Sequence, residues 1–171
     1  MDIQERESLA AAEDQGIEVT VEDEKGELQF QADGVTPITI TVSGMLSKRY
    51  QASQHVQRGR IVKKAIAEIE DIAQNGNGGK ATARAWDIAM FGWPEELLNL
   101  EEEGRRSIEA QRETVAMCVV GWSDGFTAGG EPFGFSYANA MRLLKAYPHI
   151  QRKLEKAMEN HARFFEPRST N

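Results

Sequence analysis

A catalytic or metal centre in this chain would have to be built from three histidines, one cysteine, two glycine-rich segments or two runs of carboxylates. His55, His149 and His161 are far apart, and none stands at i, i+4 from another histidine or a cysteine, the spacing that sets two metal ligands on one helix face. A metal centre assembled through the fold stays open on these residues alone. His161 suits a helix face near a C-terminus, where a cation is favoured. Cys118 lies in Val115-Ala116-Met117-Cys118-Val119-Val120, an apolar helical run with no neighbouring base, and reads as an inert core thiol. The segment from Asn75 to Gly79 lacks the spacing of a phosphate loop and the strand that should precede one, and Gly129-Gly130 fits no dinucleotide fingerprint. Both read as connectors. Glu95-Glu96 and Glu101-Glu102-Glu103 are consecutive, so on a helix they splay around it instead of converging. With no converging constellation, the expectation is a protein that is not an enzyme and carries no cofactor or metal.

What stands out instead is a concentration of aromatic residues at breaks in the pattern: Phe91 and Trp93, Trp122 and Phe126, Phe133, Phe135 and Tyr137, then Phe164 and Phe165. Trp122 and Phe135 read as rings that pin loops onto helices. Phe91, Trp93 and Phe126 read as exposed anchors of the kind that dominate protein interfaces. The groove expected to take a partner involves the last two helices and the loop before them, with Trp122, Phe126, Phe133, Phe135, Leu144, Ile150 and Leu154.

The elements that would position these residues follow from periodicity. Residues 1–15 are polar and expected to be flexible, with at most a short helix. Ile17, Val19 and Val21, then Leu28 and Phe30, then Ile38, Ile40 and Val42 alternate with period two, with turn residues between the runs. They predict a three-stranded antiparallel meander with Thr39 and Thr41 on its wetter face. So small a sheet needs a helix over its apolar face. The obvious candidate runs from Lys48, behind a Ser47 cap, to about Ala73, with Tyr50, Val56, Ile61, Ala65, Ile69 and Ile72 as an imperfect stripe.

Residues 74–80, with three glycines and two asparagines, read as a linker. Residues 81–165 read as a helical region: a short helix to Phe91, a break at Gly92-Trp93-Pro94, and a long helix towards Val120 with Val119 and Trp122 at helical spacing. A glycine-rich loop leads to a helix capped by Ser136, and a last helix opens on Pro148. Residues 166–171 form a polar tail. The predicted fold class is therefore α+β, mainly α, a meander packed by a basic helix in residues 16–73 and followed by a small helical bundle.

Composition supports a soluble chain: 171 residues, 40% hydrophobic and 27% charged, net charge −7. No apolar run approaches the ~20 residues of a membrane span, and the acidic N-terminus lacks a secretory signal. A single cysteine fits a reducing cytoplasm. Charge is uneven. Eleven acids stand against Arg6 and Lys25 up to Asp33, whereas residues 43–67 hold no acid and carry Lys48, Arg49, Arg58, Arg60, Lys63 and Lys64. That asymmetry can mark nucleic-acid binding. With Tyr50 as its one aromatic neighbour, the basic helix reads better as docking beside the acidic strands or an acidic partner, so nucleic acid is not the expected ligand.

The order of motifs resembles the tail assembly chaperone family of long-tailed bacteriophages. The pieces are Val120-Gly121-Trp122, Pro132-Phe133-Gly134-Phe135-Ser136, Tyr147-Pro148-His149-Ile150 and Arg163-Phe164-Phe165, together with Pro37 to Gly44 leading into Ser47 and Tyr50. They cover about two thirds of the chain, and the segment from Gly76 to Gly104 has no place in that pattern. The resemblance implies a non-enzymatic role in the cytoplasm of the infected host. Such a protein binds the tape-measure protein, recruits tail-tube subunits, and is absent from the finished virion. Self-association is compatible with it. A structural virion protein of the tail or head-tail junction is the alternative, and a nucleic-acid-binding accessory protein using Lys48 to Lys64 is a second.

Overall fold

The computed structural model describes residues 3–74 and 100–164. The chain divides into two compact units, one formed by Met1–Ser53 with Gln111–Asn171 and the other by Gln54–Ala110. The first unit holds the sheet and the C-terminal helices. Most of the 74–80 linker, Phe91, Trp93, Phe165 and the 166–171 tail lie outside the described residues.

The first unit opens on α1 (Ile3–Gln15) where flexibility was expected. It lacks an apolar stripe, which is why periodicity does not announce it. Gly16, at φ +77°, ends it, and its N–H donates to the Glu13 carbonyl at 3.2 Å. Strand β1 (Ile17–Thr20) pairs antiparallel with β2 (Thr39–Val42), placing Val19 opposite Ile40 and Ile17 opposite Val42. The alternation works as predicted: Val19, Ile40 and Val42 are buried and Thr39 and Thr41 half-buried.

The sheet has three antiparallel strands, but its third member is not the expected one. Val119–Trp122 forms β3 on the far side of β2, with Ile40 opposite Trp122 and a bulge where the register shifts between Thr41 and Val42. The helix expected to reach Val120 (α3, Leu100–Cys118) stops one residue before this strand. The β-branched pair Val119-Val120 and then Gly121 favour extended chain over helix. The 28–30 run makes only single bridges, Glu22 with Leu28 and Phe30 with Pro37, leaving Leu28 and Phe30 exposed. Two aspartate turns fold this excursion tightly. Asp23 Oδ1 accepts from the Lys25 and Glu27 amides at 2.8 and 2.9 Å. Asp33 Oδ1 accepts from the Val35 and Thr36 amides. The Thr36 hydroxyl above all, with those amides, holds the Asp33 carboxyl below its ordinary value.

The helical cover of the sheet also differs from expectation. Of α2 (Lys48–Gln74), only Lys48–Ser53 belongs to the sheet's unit, and it brings buried Ser53 and half-buried Tyr50. The apolar face is packed instead by α5 (Pro148–Glu159), through Ile150, Leu154, Ala157 and Met158. Helix α4 (Tyr137–Ala146) adds Ala140, Leu143 and Leu144, and the end of α3 adds Val115, Ala116 and Cys118. Helix α4 begins as predicted, with Ser136 Oγ accepting from the Asn139 amide at 3.1 Å, and Pro148 stands in the first turn of α5. A 3₁₀ turn, His161–Phe164, closes the described chain and buries Phe164. No helix among the described residues is long and apolar enough to cross a membrane.

Candidate functional site

Trp122, the last residue of β3, organises the loop that follows. Its ring stacks on Phe133 (centroids 5.7 Å, 8° between planes), meets Phe135 edge-on at 5.1 Å and tilts against Phe126 at 5.3 Å. The indole Nε1–H donates to the Phe133 carbonyl at 3.0 Å, and the Phe133 amide donates to the Phe126 carbonyl at 2.8 Å. Between these rings, β4 (Thr127–Ala128) and β5 (Glu131–Pro132) form a minimal hairpin. Gly129 and Gly130 make its two-residue turn, both with positive φ (+64° and +87°), the combination that a type I′ connection requires. The glycines read as a connector are thus the turn that folds the aromatic loop on itself. The Arg142 guanidinium from α4 lies over the Phe133 ring, 5.3 Å from its centroid.

Beside this cluster runs a cleft of about 600 Å³. Its apolar lining comes from Ile38, Phe126, Phe133, Leu143 and Ile150, and its polar rim from Asp23, Glu24, Gln29 and Arg142. A second cleft of about 530 Å³ shares Val21, Glu22, Asp23, Glu24, His149 and Ile150 with the first and continues along α5 past Arg152, Lys153 and Lys156. The tie between them is polar. His149 Nε2 is 3.0 Å from the Glu22 carbonyl, so that nitrogen carries the hydrogen and donates. The Lys153 ammonium is 2.6 Å from Glu22 Oε1. The 21–26 turn is thereby held over the start of α5, and the trough formed by the two clefts is lined by Glu22, Asp23 and Glu24 together with Arg142, Arg152, Lys153 and Lys156.

Of the residues expected to take a partner, Trp122, Phe126, Phe133 and Phe135 are gathered into one cluster. Phe126 is half-buried where an exposed anchor was expected, because its ring packs on Trp122. Phe135 is 41% exposed. Leu144 and Leu154 belong to the core, each 1% exposed, and Ile150 is buried in the lining of both clefts. Phe91 and Trp93 lie outside the described residues. Arg142, His149, Glu22 and Lys153 were missed as site residues. The contacts that define them join residues distant in sequence, and nothing local marks them.

The basic residues are divided between the two units, Lys48 and Arg49 in the first and Arg58, Arg60 and Lys63 in the second. Lys48, 3.9 Å from Asp14, is engaged by α1. Arg58 and Arg60, two residues apart at 3.6 residues per turn, lie on opposite sides of α2. Arg49 and Lys63 are exposed, and the Lys64 side chain lies outside the described residues. Cys118 is fully buried, and burial pushes its thiol up to about 11, so it stays protonated at neutral pH. Among the described residues no group of three or more His, Cys, Asp or Glu is placed to hold a metal ion. No family model matches this chain, and neither does any curated protein or solved structure.

Proposed function

We propose that this protein is a tail assembly chaperone of a long-tailed bacteriophage, acting in the host cytoplasm. In this reading it shields apolar helical segments of the tape-measure protein until tail-tube subunits assemble around them. The observation that carries the reading is the trough beside the Trp122 cluster. It is lined by apolar side chains and by charged residues of both signs, a combination that suits an amphipathic helix. Exposed aromatic side chains at Tyr137, Tyr147 and Phe135 give its neighbourhood the amphipathic rings that anchor interfaces. The motif order from Val120 to Phe164 supplies the link to the phage family.

Co-expression with the tape-measure protein of the same genome, followed by affinity capture, tests the reading. Capture should be lost in Phe126→Ser and Arg142→Glu variants that remain folded. Mass spectrometry of purified virions separates this function from its alternative: a chaperone is absent from the finished particle. Stoichiometric presence there would establish a structural virion component instead.

A further inference from the structure

The second unit carries a different surface. Helix α2 belongs to it from Gln54 onward, and Val62 and Ile66 stand 56% and 49% exposed. At about 100° per residue these two lie about 40° apart on one face, with Arg58 and Lys63 on its flanks. Arg58 and Lys63 are exposed as well, and the face turns acidic one turn later at Glu70. The first unit carries another apolar pair, Leu28 and Phe30, 43% and 45% exposed. Gln29 between them lines the cleft beside the Trp122 cluster, so by strand alternation Leu28 and Phe30 turn to the opposite face. Large apolar side chains left exposed side by side mark interaction sites.

The two surfaces are complementary in spacing and in charge. Val62 and Ile66 are separated by about 6 Å along the helix, and Leu28 and Phe30 by about 7 Å of extended chain. Residues 43–67 hold no acid, whereas residues 22–33 hold Glu22, Asp23, Glu24, Glu27 and Asp33 against Lys25. Glu22 is engaged by Lys153, but Glu24, Glu27 and Asp33 are exposed. The two aspartate turns hold this acidic excursion in shape before any partner arrives. Two α2 faces brought together would set Arg58 and Lys63 against each other's cations, and two excursions would set acid against acid. The charges favour pairing the one with the other.

We propose that this face of α2 docks on the Leu28–Phe30 face of a second copy of the chain. The contact is heterologous, since its two surfaces come from different parts of the sequence. It closes where each copy docks on the other, and otherwise runs on from copy to copy. Apolar pairs rimmed by charge place it among small, reversible interfaces. Neither Leu28 nor Phe30 lines either of the two clefts, and the inference stands independently of the tail-assembly reading.

Analytical ultracentrifugation of the full chain over a wide concentration range tests it. The wild type should associate reversibly, and roughly tenfold more weakly in high salt than in low. Ile66→Asp and Phe30→Asp, each with the circular dichroism of the wild type, should be monomeric throughout. Their equimolar mixture should form a one-to-one dimer and nothing larger. Ile66→Asp brings an intact excursion and Phe30→Asp an intact helix face, so one contact forms per pair. That rescue also shows both variants to be folded. A wild type that is monomeric at all concentrations overturns the proposal, as does association indifferent to either substitution. Variants that stay monomeric when mixed overturn the pairing of these two surfaces.

Discussion

His161 Nδ1 lies 2.5 Å from Oε1 of Glu13, joining the 3₁₀ turn at the end of the described chain to the helix at its start. The Glu13 carboxylate is fully buried, and its other oxygen accepts from the Leu46 amide at 2.5 Å. Asp14 accepts from the Lys48 amide at 2.7 Å. The last turn of α1 thus supplies carboxylates to the N-terminus of α2, where unpaired amides and the helix dipole favour negative charge. A helix without an apolar stripe is held in place by polar contacts made at one end.

Glu13→Ala is therefore expected to cost about 2–4 kcal/mol, because it orphans the Leu46 amide and removes the partner of His161. Glu13→Gln should cost less, since it keeps the shape and one acceptor oxygen. Urea denaturation of both variants measures the difference. Equal stability of Glu13→Ala and wild type would show that α1 contributes nothing to the fold.

Two glycines are tied to the same junction. A Cβ at Gly44 would run into the Glu13 carboxylate, and one at Gly16 would come within 2.9 Å of the Val42 carbonyl at a φ of +77°. Gly16→Ala and Gly44→Ala should each destabilise by about 1–3 kcal/mol. Because Gly44 acts through Glu13, Gly44→Ala should cost much less in a Glu13→Ala background, whereas Gly16→Ala should cost the same in either. A double-mutant cycle on thermal melts reads this coupling.

These polar contacts explain which parts of the fold could be read from the sequence. The Ser136 cap and the Pro148 start are local chemistry within one turn, and both elements begin where the residues place them. Val19, Ile38, Ile40 and Val42 alternate as buried strand residues should. Strand β3 was hidden because Val115, Cys118, Val119 and Trp122 keep helical spacing through the point where the helix ends. Its partner Ile40 lies far away in sequence. Helix α1 was hidden because its anchors are Leu46 and His161, not its own neighbours. At the site, the aromatic density from Trp122 to Phe135 was legible. The His149–Glu22 tie and the Arg142–Phe133 contact were not, because each exists only once the chain has closed.

Cys118 should resist thiol reagents in the native protein at pH 8 and react once denaturant unfolds the chain. Its thiol is raised from 9.0 to about 11 chiefly by burial, against smaller opposing effects of the Ser43 hydroxyl and the Arg49 charge. Below the unfolded value both states hold the proton, and this group leaves stability unchanged with pH. Between the two values the unfolded chain loses the proton while the native state keeps it. Stability should therefore fall as pH rises from about 9 to about 11, by about 2–3 kcal/mol in all. Cys118→Ala should flatten that part of the profile, while costing some stability at neutral pH through the lost sulfur packing. Denaturant midpoints across this range, for wild type and variant, measure the effect.

Trp122 is expected to matter more through the loop it holds than through the sheet it ends. Trp122→Phe keeps an aromatic ring but removes the Nε1–H donor to the Phe133 carbonyl, costing about 1 kcal/mol for the bond, and somewhat more for lost ring area. Trp122→Ala strips the shared partner from Phe126, Phe133 and Phe135 and should cost about 2–4 kcal/mol. Strand β3 stays paired with β2 in either case, because its ladder is made by backbone groups. Hydrogen exchange separates the two effects: amides from Gly125 to Phe135 should lose protection in Trp122→Ala, while the β2–β3 amides retain theirs. Uniform loss across both segments would show instead that the ring cluster supports the whole sheet.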